Sequence, residues 1–170
     1  AGYGEQTVLD GISVDFEKGK LTSIIGVNGC GKSTLLKAIL GILSLSSGEI
    51  FIDGENLLTI SRNEIAKKIA YLSQGKNIPD MTVEQMVLHG RFPYLSYPRR
   101  YSSHDREVAI KAMEIVGVAE FAHKPLYSLS GGMRQNAYIA MALAQDTDYI
   151  LLDEPTTYLD IAHQLELMRI

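Results

Sequence analysis

The feature that most constrains this chain is an eight-residue loop, Gly26-Val27-Asn28-Gly29-Cys30-Gly31-Lys32-Ser33. It fits the pattern G-x-x-x-x-G-K-[ST], in which glycines let backbone N–H groups point at a phosphate and the following helix adds its positive end. Residues 20–25 read as a strand after a Glu-Lys-Gly-Lys turn, and residues 32–42 as a helix closed by a Ser/Gly stretch. Strand, glycine-rich turn and helix in that order are the context such a loop requires, and they point to an α/β fold. Lys32 would reach the β- and γ-phosphates of a nucleoside triphosphate, and Ser33 would place its hydroxyl on Mg2+. The candidate phosphate-binding residues are Asn28, Gly29, Cys30, Gly31, Lys32, Ser33 and Thr34.

A second segment, Tyr149-Ile150-Leu151-Leu152-Asp153-Glu154, is an apolar strand ending in two acids. Its composition predicts burial on both faces, as a parallel sheet demands. Asp153 is suited to hold Mg2+ through water. Glu154, one residue on, would point to the opposite side of an extended chain. There it can polarise a water for in-line attack on the γ-phosphorus.

The remaining sequence bounds the answer. With 170 residues, 46% of them apolar and 21% charged, the chain has the composition of one globular domain. A formal charge of −4 argues against a protein that coats nucleic acid. No run of about 18 apolar residues occurs, the opening residues are polar and unlike a secretory leader, and a single cysteine fits a reducing compartment. Residues 7–16 and 48–57 suggest a small antiparallel sheet with an Asp53-Gly54 turn. Residues 61–68 read as a short helix and 69–73 as a buried strand. Helical periodicity at 83–89 and 105–116, joined by a Pro- and Tyr-rich link at 92–101, marks residues 75–127 as a mainly helical insert. Residues 133–145 form another helix with Ile139, Ala140, Leu143 and Ala144 on one face, and 161–169 a last one.

Between loop and acids stands Leu129-Ser130-Gly131-Gly132-Met133. With the three segments in this order, the chain resembles the ATP-binding-cassette (ABC) family over essentially its whole length. The resemblance implies a P-loop NTPase (RecA-like) core, with a small antiparallel β subdomain and an inserted helical subdomain. The expected parts are 1–74 for the core with its β subdomain, 75–132 for the helical subdomain with the signature, and 133–170 for the rest of the core. It implies ATP and Mg2+ as cofactors, Tyr3 as the aromatic that stacks on adenine, and Gln74 as the glutamine between core and helical insert, with catalytic and metal-binding roles. Thr157-Tyr158-Leu159-Asp160 resembles the D-loop, with Asp160 as its acid. Two such domains meet head to tail, so Ser130, Gly131 and Gly132 would serve the ATP held by the partner. Lys32, Gln74 and Glu154 form the implied catalytic set, and Ser33, Gln74 and Asp153 the implied metal set.

The runs 88–94, 138–145 and 154–164 are most similar to ATPase subunits of iron–siderophore, haem and cobalamin importers. The implied partners are a second ATPase subunit, a membrane permease received in a groove near Gln74 and the helical insert, and indirectly a solute-binding protein; nucleic acid is not among them. The implied place is the cytoplasmic face of the cell membrane. Val27, Met133 and Asn136 depart from the commoner family residues, and the latter two are expected to tune the ATP-dependent dimer contact. The family pattern runs on beyond Arg169 to a switch histidine, which His163 is too close to Asp160 to be, and a strand normally precedes Tyr3. The expectation is therefore a domain incomplete at both ends, mainly the C-terminal one. The alternatives are an ATP-binding module without efficient hydrolysis, or a soluble ABC protein of DNA repair or translation. The absence of heptads between Ser33 and Ser130 weighs against the last.

Overall fold

The computed structural model describes residues 1–4, 6–73 and 77–155. They fall into two compact units, Ala1–Ile69 and Ala70–Ile170.

In the first unit, β1 (Gly2–Tyr3) and β2 (Gln6–Thr7) pair antiparallel, Gly2 opposite Thr7 and Tyr3 opposite Gln6. Helix α1 (Lys32–Ile39) buries Leu36 and Ala38. It stops short of the expected residue 42 because Gly41 turns left-handed at φ 66°, and the Gly41 and Ile42 N–H groups close back on the Ala38 and Lys37 carbonyls. Strands β3 (Phe51–Ile52) and β4 (Glu55–Asn56) form the expected hairpin. Asp53 and Gly54, at φ 51° and 80°, supply the two left-handed residues of its turn. Helix α2 (Arg62–Lys68) is started by a reciprocal box. Ser61 Oγ accepts from Glu64 N–H, and Glu64 Oε2 accepts from Ser61 N–H at 3.0 Å. At its far end Lys68 reaches Asp53 at 3.2 Å and Glu55 at 3.6 Å, which ties helix to hairpin.

Two expectations for this unit do not hold. Residues 20–25 form no strand, and Leu21 and Ile25 are about nine-tenths exposed. A strand is stabilised by its ladder neighbours, and among the described residues none pairs with this run. Nor do residues 7–16 join 48–57 in one sheet: only Thr7 of that run lies in a strand, residues 8–16 form none, and β2 pairs with β1 while β3 pairs with β4.

The second unit is entered through β5 (Ile69–Leu72), which pairs with β6 (Tyr149–Leu152). Three helices pack into the core between them in sequence: α3 (Val83–Leu88), α4 (Ser103–Ile115) and α5 (Gly131–Ala144). Thr82 with Gln85 and Ser102 with Asp105 cap α3 and α4 by the same reciprocal device as α2. Val83, Val87, Met113, Val118 and Leu126 are almost wholly buried. The face of α5 expected to be apolar is so, with Ile139, Ala140 and Ala144 buried and Leu143 packed at its margin. Strand β6 departs from expectation. Its residues alternate between half-buried and exposed, with Ile150 41% and Leu152 37% accessible. Among the described residues it has one strand neighbour, and one of its faces is left open. The expected helix at 161–169 lies outside the described residues. No helix among the described residues is long and apolar enough to cross a membrane.

A short 3-10 helix, His89–Tyr94, continues from α3 and closes the C-terminal end of α5. Gly90 lies so near the Met141 carbonyl that a β-carbon there would collide with it. Arg91 is 4% exposed. Its Nε donates to Asp105 Oδ1 at 3.0 Å, its Nη1 to the Ala144 carbonyl at 3.0 Å, and its guanidinium lies 4.0 Å from the centre of the Tyr94 ring. Tyr94 OH donates to the Gln145 and Asp146 carbonyls. Burial pushes the Asp105 carboxyl up, but the Ser102 side-chain and backbone donors together with Arg91 outweigh it and hold the group below its ordinary value of 3.8.

Removing one partner of a buried pair strands the other charge, so Asp105→Ala should cost about 3 kcal/mol in urea denaturation at pH 7. A carboxylate depressed in the folded state stabilises above its unfolded value. That stabilisation is lost as the pH falls through the folded one. The difference between parent and Asp105→Ala should therefore be constant at neutral pH and shrink below about pH 4.

Candidate functional site

The phosphate loop is built in the first unit by two left-handed glycines. Gly29 stands at φ 80° and Gly31 at φ 101°, a region that L side chains rarely adopt. At Gly31 a β-carbon would also press on Leu9 at 3.0 Å and Val8 at 3.2 Å, so the chain there must be bare. Between them Cys30 N–H closes a turn on the Val27 carbonyl, and its thiol is exposed. The thiol leaves no room for a side chain at Gly26 in its present rotamer.

Gly31 is also the N-cap of α1, and it provides no side-chain hydrogen bond. Helices α2, α3, α4 and α5 instead start on Ser61, Thr82, Ser102 and Ser130, each accepting from the first turn. The first-turn N–H groups of α1 thus meet no capping oxygen from Gly31, and no acid stands in that turn. This is the arrangement in which an external anion takes the place of a cap. Lys32 Nζ lies over the loop, donating to the Gly26 and Val27 carbonyls at 2.9 and 3.0 Å. Its ammonium adds a full positive charge to the partial charge of the helix end. Ser33 follows it in the first turn, half-buried, while Thr34 is buried and faces the interior of the unit. Tyr3 is half exposed. Lys37, further along α1, donates to its hydroxyl at 3.5 Å and lies 5.9 Å from its ring centre, so the aromatic stands beside the loop's helix.

The acid pair and the Ser-Gly-Gly segment belong to the second unit. Asp153 is 8% exposed. Tyr71 OH donates to its Oδ2 at 3.2 Å, and its own N–H continues the pairing of β5 and β6 to the Leu72 carbonyl at 2.9 Å. Glu154 is exposed and stands at φ 51°. The backbone at Glu154 is a left-handed turn and not the extended strand whose alternation the sequence reading relies on. Ser130 caps α5, its Oγ accepting from Met133 N–H at 3.3 Å. Gly132 is buried, whereas a β-carbon on Gly131 would meet nothing within 4 Å.

Met133 and Asn136 both make contacts within the second unit. Met133 packs against the helical core, and Asn136 Nδ2 donates to the Val116 carbonyl at the end of α4. Both act on the packing of α5. Sequence reasoning passed over Gln135, whose Nε2 donates to the Pro155 carbonyl at 2.9 Å. No local pattern announces a bond that spans 20 residues. Gln74 and Asp160 lie outside the described residues. Ser33 and Asp153 offer hydroxyl and carboxylate oxygens, the hard donors Mg2+ takes, and Mg2+ needs few protein ligands beside phosphate and water. Among the described residues no cluster of three or more His, Cys, Asp or Glu gathers.

The ABC transporter family model matches residues 9–157. The petrobactin import ATP-binding protein FpuD of Bacillus anthracis is 45% identical over 98% of this chain and 61% of its own length. The iron(3+)-hydroxamate import ATP-binding protein FhuC of Bacillus subtilis is 45% identical over 99% of this chain and 63% of its own length. The chain thus spans less than two thirds of these curated relatives. Among solved structures, a dimeric bacterial ABC transporter cassette superposes with a TM-score of 0.79 at 29% identity, covering 95% of this chain and 72% of that one. The fold is therefore the α/β P-loop NTPase fold of ABC cassettes, and the chain belongs to the ABC transporter family.

Proposed function

We propose that this chain is the ATP-binding subunit of an importer, and that it binds Mg-ATP and hydrolyses it to drive uptake of an iron–siderophore type of chelate. The observation that carries the reading is the phosphate loop: an N-terminus of α1 that Gly31 leaves without a side-chain cap, with Lys32 laid over it. The 45% identity to import ATP-binding proteins for petrobactin and iron(3+)-hydroxamate supplies the substrate class.

In this reading the N–H groups of residues 28–34 hold the β- and γ-phosphates, and Lys32 exchanges its loop carbonyls for phosphate oxygens. Tyr3 offers its half-exposed ring to adenine. Ser33, Asp153 and Gln74 would hold Mg2+, which supplies charge neutralisation as the γ-phosphate leaves. Glu154 orients a water and accepts its proton. Ser130, Gly131 and Gly132 cover the ATP of a second, head-to-tail copy, with Asp160 near the shared face. The dimeric cassette that superposes on this chain supports that arrangement. Closing two such faces on each other excludes water from the reacting phosphate. A permease would dock on the helical subdomain near Gln74, with 1–74, 75–132 and 133–170 as the working parts.

Replacing Glu154 by Gln should reduce steady-state phosphate release at least about a hundred-fold while leaving ATP affinity within about three-fold, because the general base is lost and the phosphate loop is intact. Turnover at the parent rate would remove Glu154 from the role of base. Gly131→Ala places a methyl in open space, so thermal stability should hold or rise slightly. ATP-dependent dimerisation, followed by size-exclusion chromatography in the Glu154→Gln background, should weaken about ten-fold or more as the methyl meets the partner's nucleotide. A dimer of undiminished strength would count against the signature's place at the interface.

A further inference from the structure

We propose that Gln135 is a positioning residue for Glu154, fastening the backbone that carries the base to the helix that carries Ser130-Gly131-Gly132. The inference rests on the reading of Glu154 as the base.

The geometry around Glu154 is unusual on two counts. Its φ of 51° lies where non-glycine residues seldom stand. The proline that follows pushes its preceding residue towards extended backbone and disfavours this conformation further. Such a conformation persists only where the surroundings impose it. Here they do so from both sides. Upstream, Asp153 is fixed by its N–H to the Leu72 carbonyl at 2.9 Å and by Tyr71 OH at 3.2 Å. Downstream, the Pro155 carbonyl accepts from Gln135 Nε2 at 2.9 Å, in a partly buried position. Glu154 is the residue between these anchors, so the direction of its side chain is set by both.

The downstream anchor comes from the second turn of α5. Ser130 caps that helix and Gly131 begins it, so a shift of the Ser-Gly-Gly segment is carried along the helix to Gln135. From there it passes through one hydrogen bond to the turn at Glu154. Placement of the base thus depends on placement of the signature on the same chain. Gln135 and Glu154 belong to the second unit and the phosphate loop to the first. Loss of the Gln135 bond should let the turn relax, misplace the attacking water and slow the chemical step without weakening ATP binding.

The test compares Gln135→Leu, which keeps the bulk and removes the donor, with Gln135→His, which keeps an N–H donor at similar reach. Both are made in the full chain and measured by steady-state ATP hydrolysis, with thermal midpoints recorded alongside. The Leu variant should show kcat lowered about three- to ten-fold, the worth of one neutral hydrogen bond, with KM for ATP within about two-fold. The His variant should recover most of that loss at an equal thermal midpoint. A Leu variant with parental kcat, a KM that rises as far as kcat falls, or a His variant no better than Leu would overturn the proposal. Glu154→Gln run beside them separates the two readings. If it is inactive while Gln135→Leu turns over normally, only the role of Gln135 is lost. If it retains turnover, the assignment of the base fails first and this inference with it.

Discussion

A buried cation, Arg91, is what the second unit is arranged around. It meets Asp105 of α4 and the last carbonyl of α5 from a 3-10 helix that continues α3, so one guanidinium touches all three helical segments. The energy of the core comes from elsewhere. Each fully buried side chain such as Met113 or Leu126 contributes about 1.5–3 kcal/mol, whereas a buried ion pair roughly breaks even against its own desolvation. What Arg91 adds is direction. A guanidinium fork accepts only planar, fixed partners, and α5 is therefore pinned at its C-terminal end. The far end of α5 carries Ser130 and Gly131, and its continuation leads into β6 and the two acids. A position fixed at Ala144 is a position fixed at both ends of the functional segment.

What the sequence disclosed was whatever is decided within a few residues. The helical periodicity of α2, α3 and α4, the Asp53-Gly54 turn and the apolar face of α5 are all local. They depend on side chains three or four positions apart and were readable as such. The glycine-rich loop belongs with them, because φ 80° at Gly29 and 101° at Gly31 are properties of the glycines themselves. Strands were read less well. Residues 20–25 have the composition of a strand, but a strand exists through its neighbour, and composition does not name the neighbour. For the same reason the pairing expected between residues 7–16 and 48–57 does not occur: residues 8–16 form no strand, and the 48–57 run closes on itself as β3 and β4.

The site shows the same boundary between local and distant causes. Lys32 and Ser33 follow from a motif, whereas the left-handed turn at Glu154 is not announced by the extended run before it. Gln135, Asn136 and Tyr71 were not legible, since each acts on a carbonyl or carboxylate far along the chain: Pro155, Val116 and Asp153. Asn136 is instructive. Its short amide satisfies the end of α4.

Glycines supply the sharpest distinction between what folding needs and what function needs. Gly90 is required because the α5 backbone lies where its β-carbon would be, and Gly31 because its φ and the side chains of Val8 and Leu9 exclude one. Folding alone accounts for both. Gly131 is different: its φ is not left-handed, and a β-carbon there would meet nothing. A glycine opening a helix costs conformational entropy that alanine would not. Among the described residues no contact at that position offsets the cost. Under the proposed function the compensation comes from outside the chain, since bare backbone at a helix start lets a phosphate group approach the N–H groups closely. The proposed head-to-tail pairing would supply such a group on the second copy. On that proposal the Ser-Gly-Gly segment answers to a ligand bound on another chain, and α5, seated by Arg91 and tied to Pro155 by Gln135, would carry that contact back to the acids.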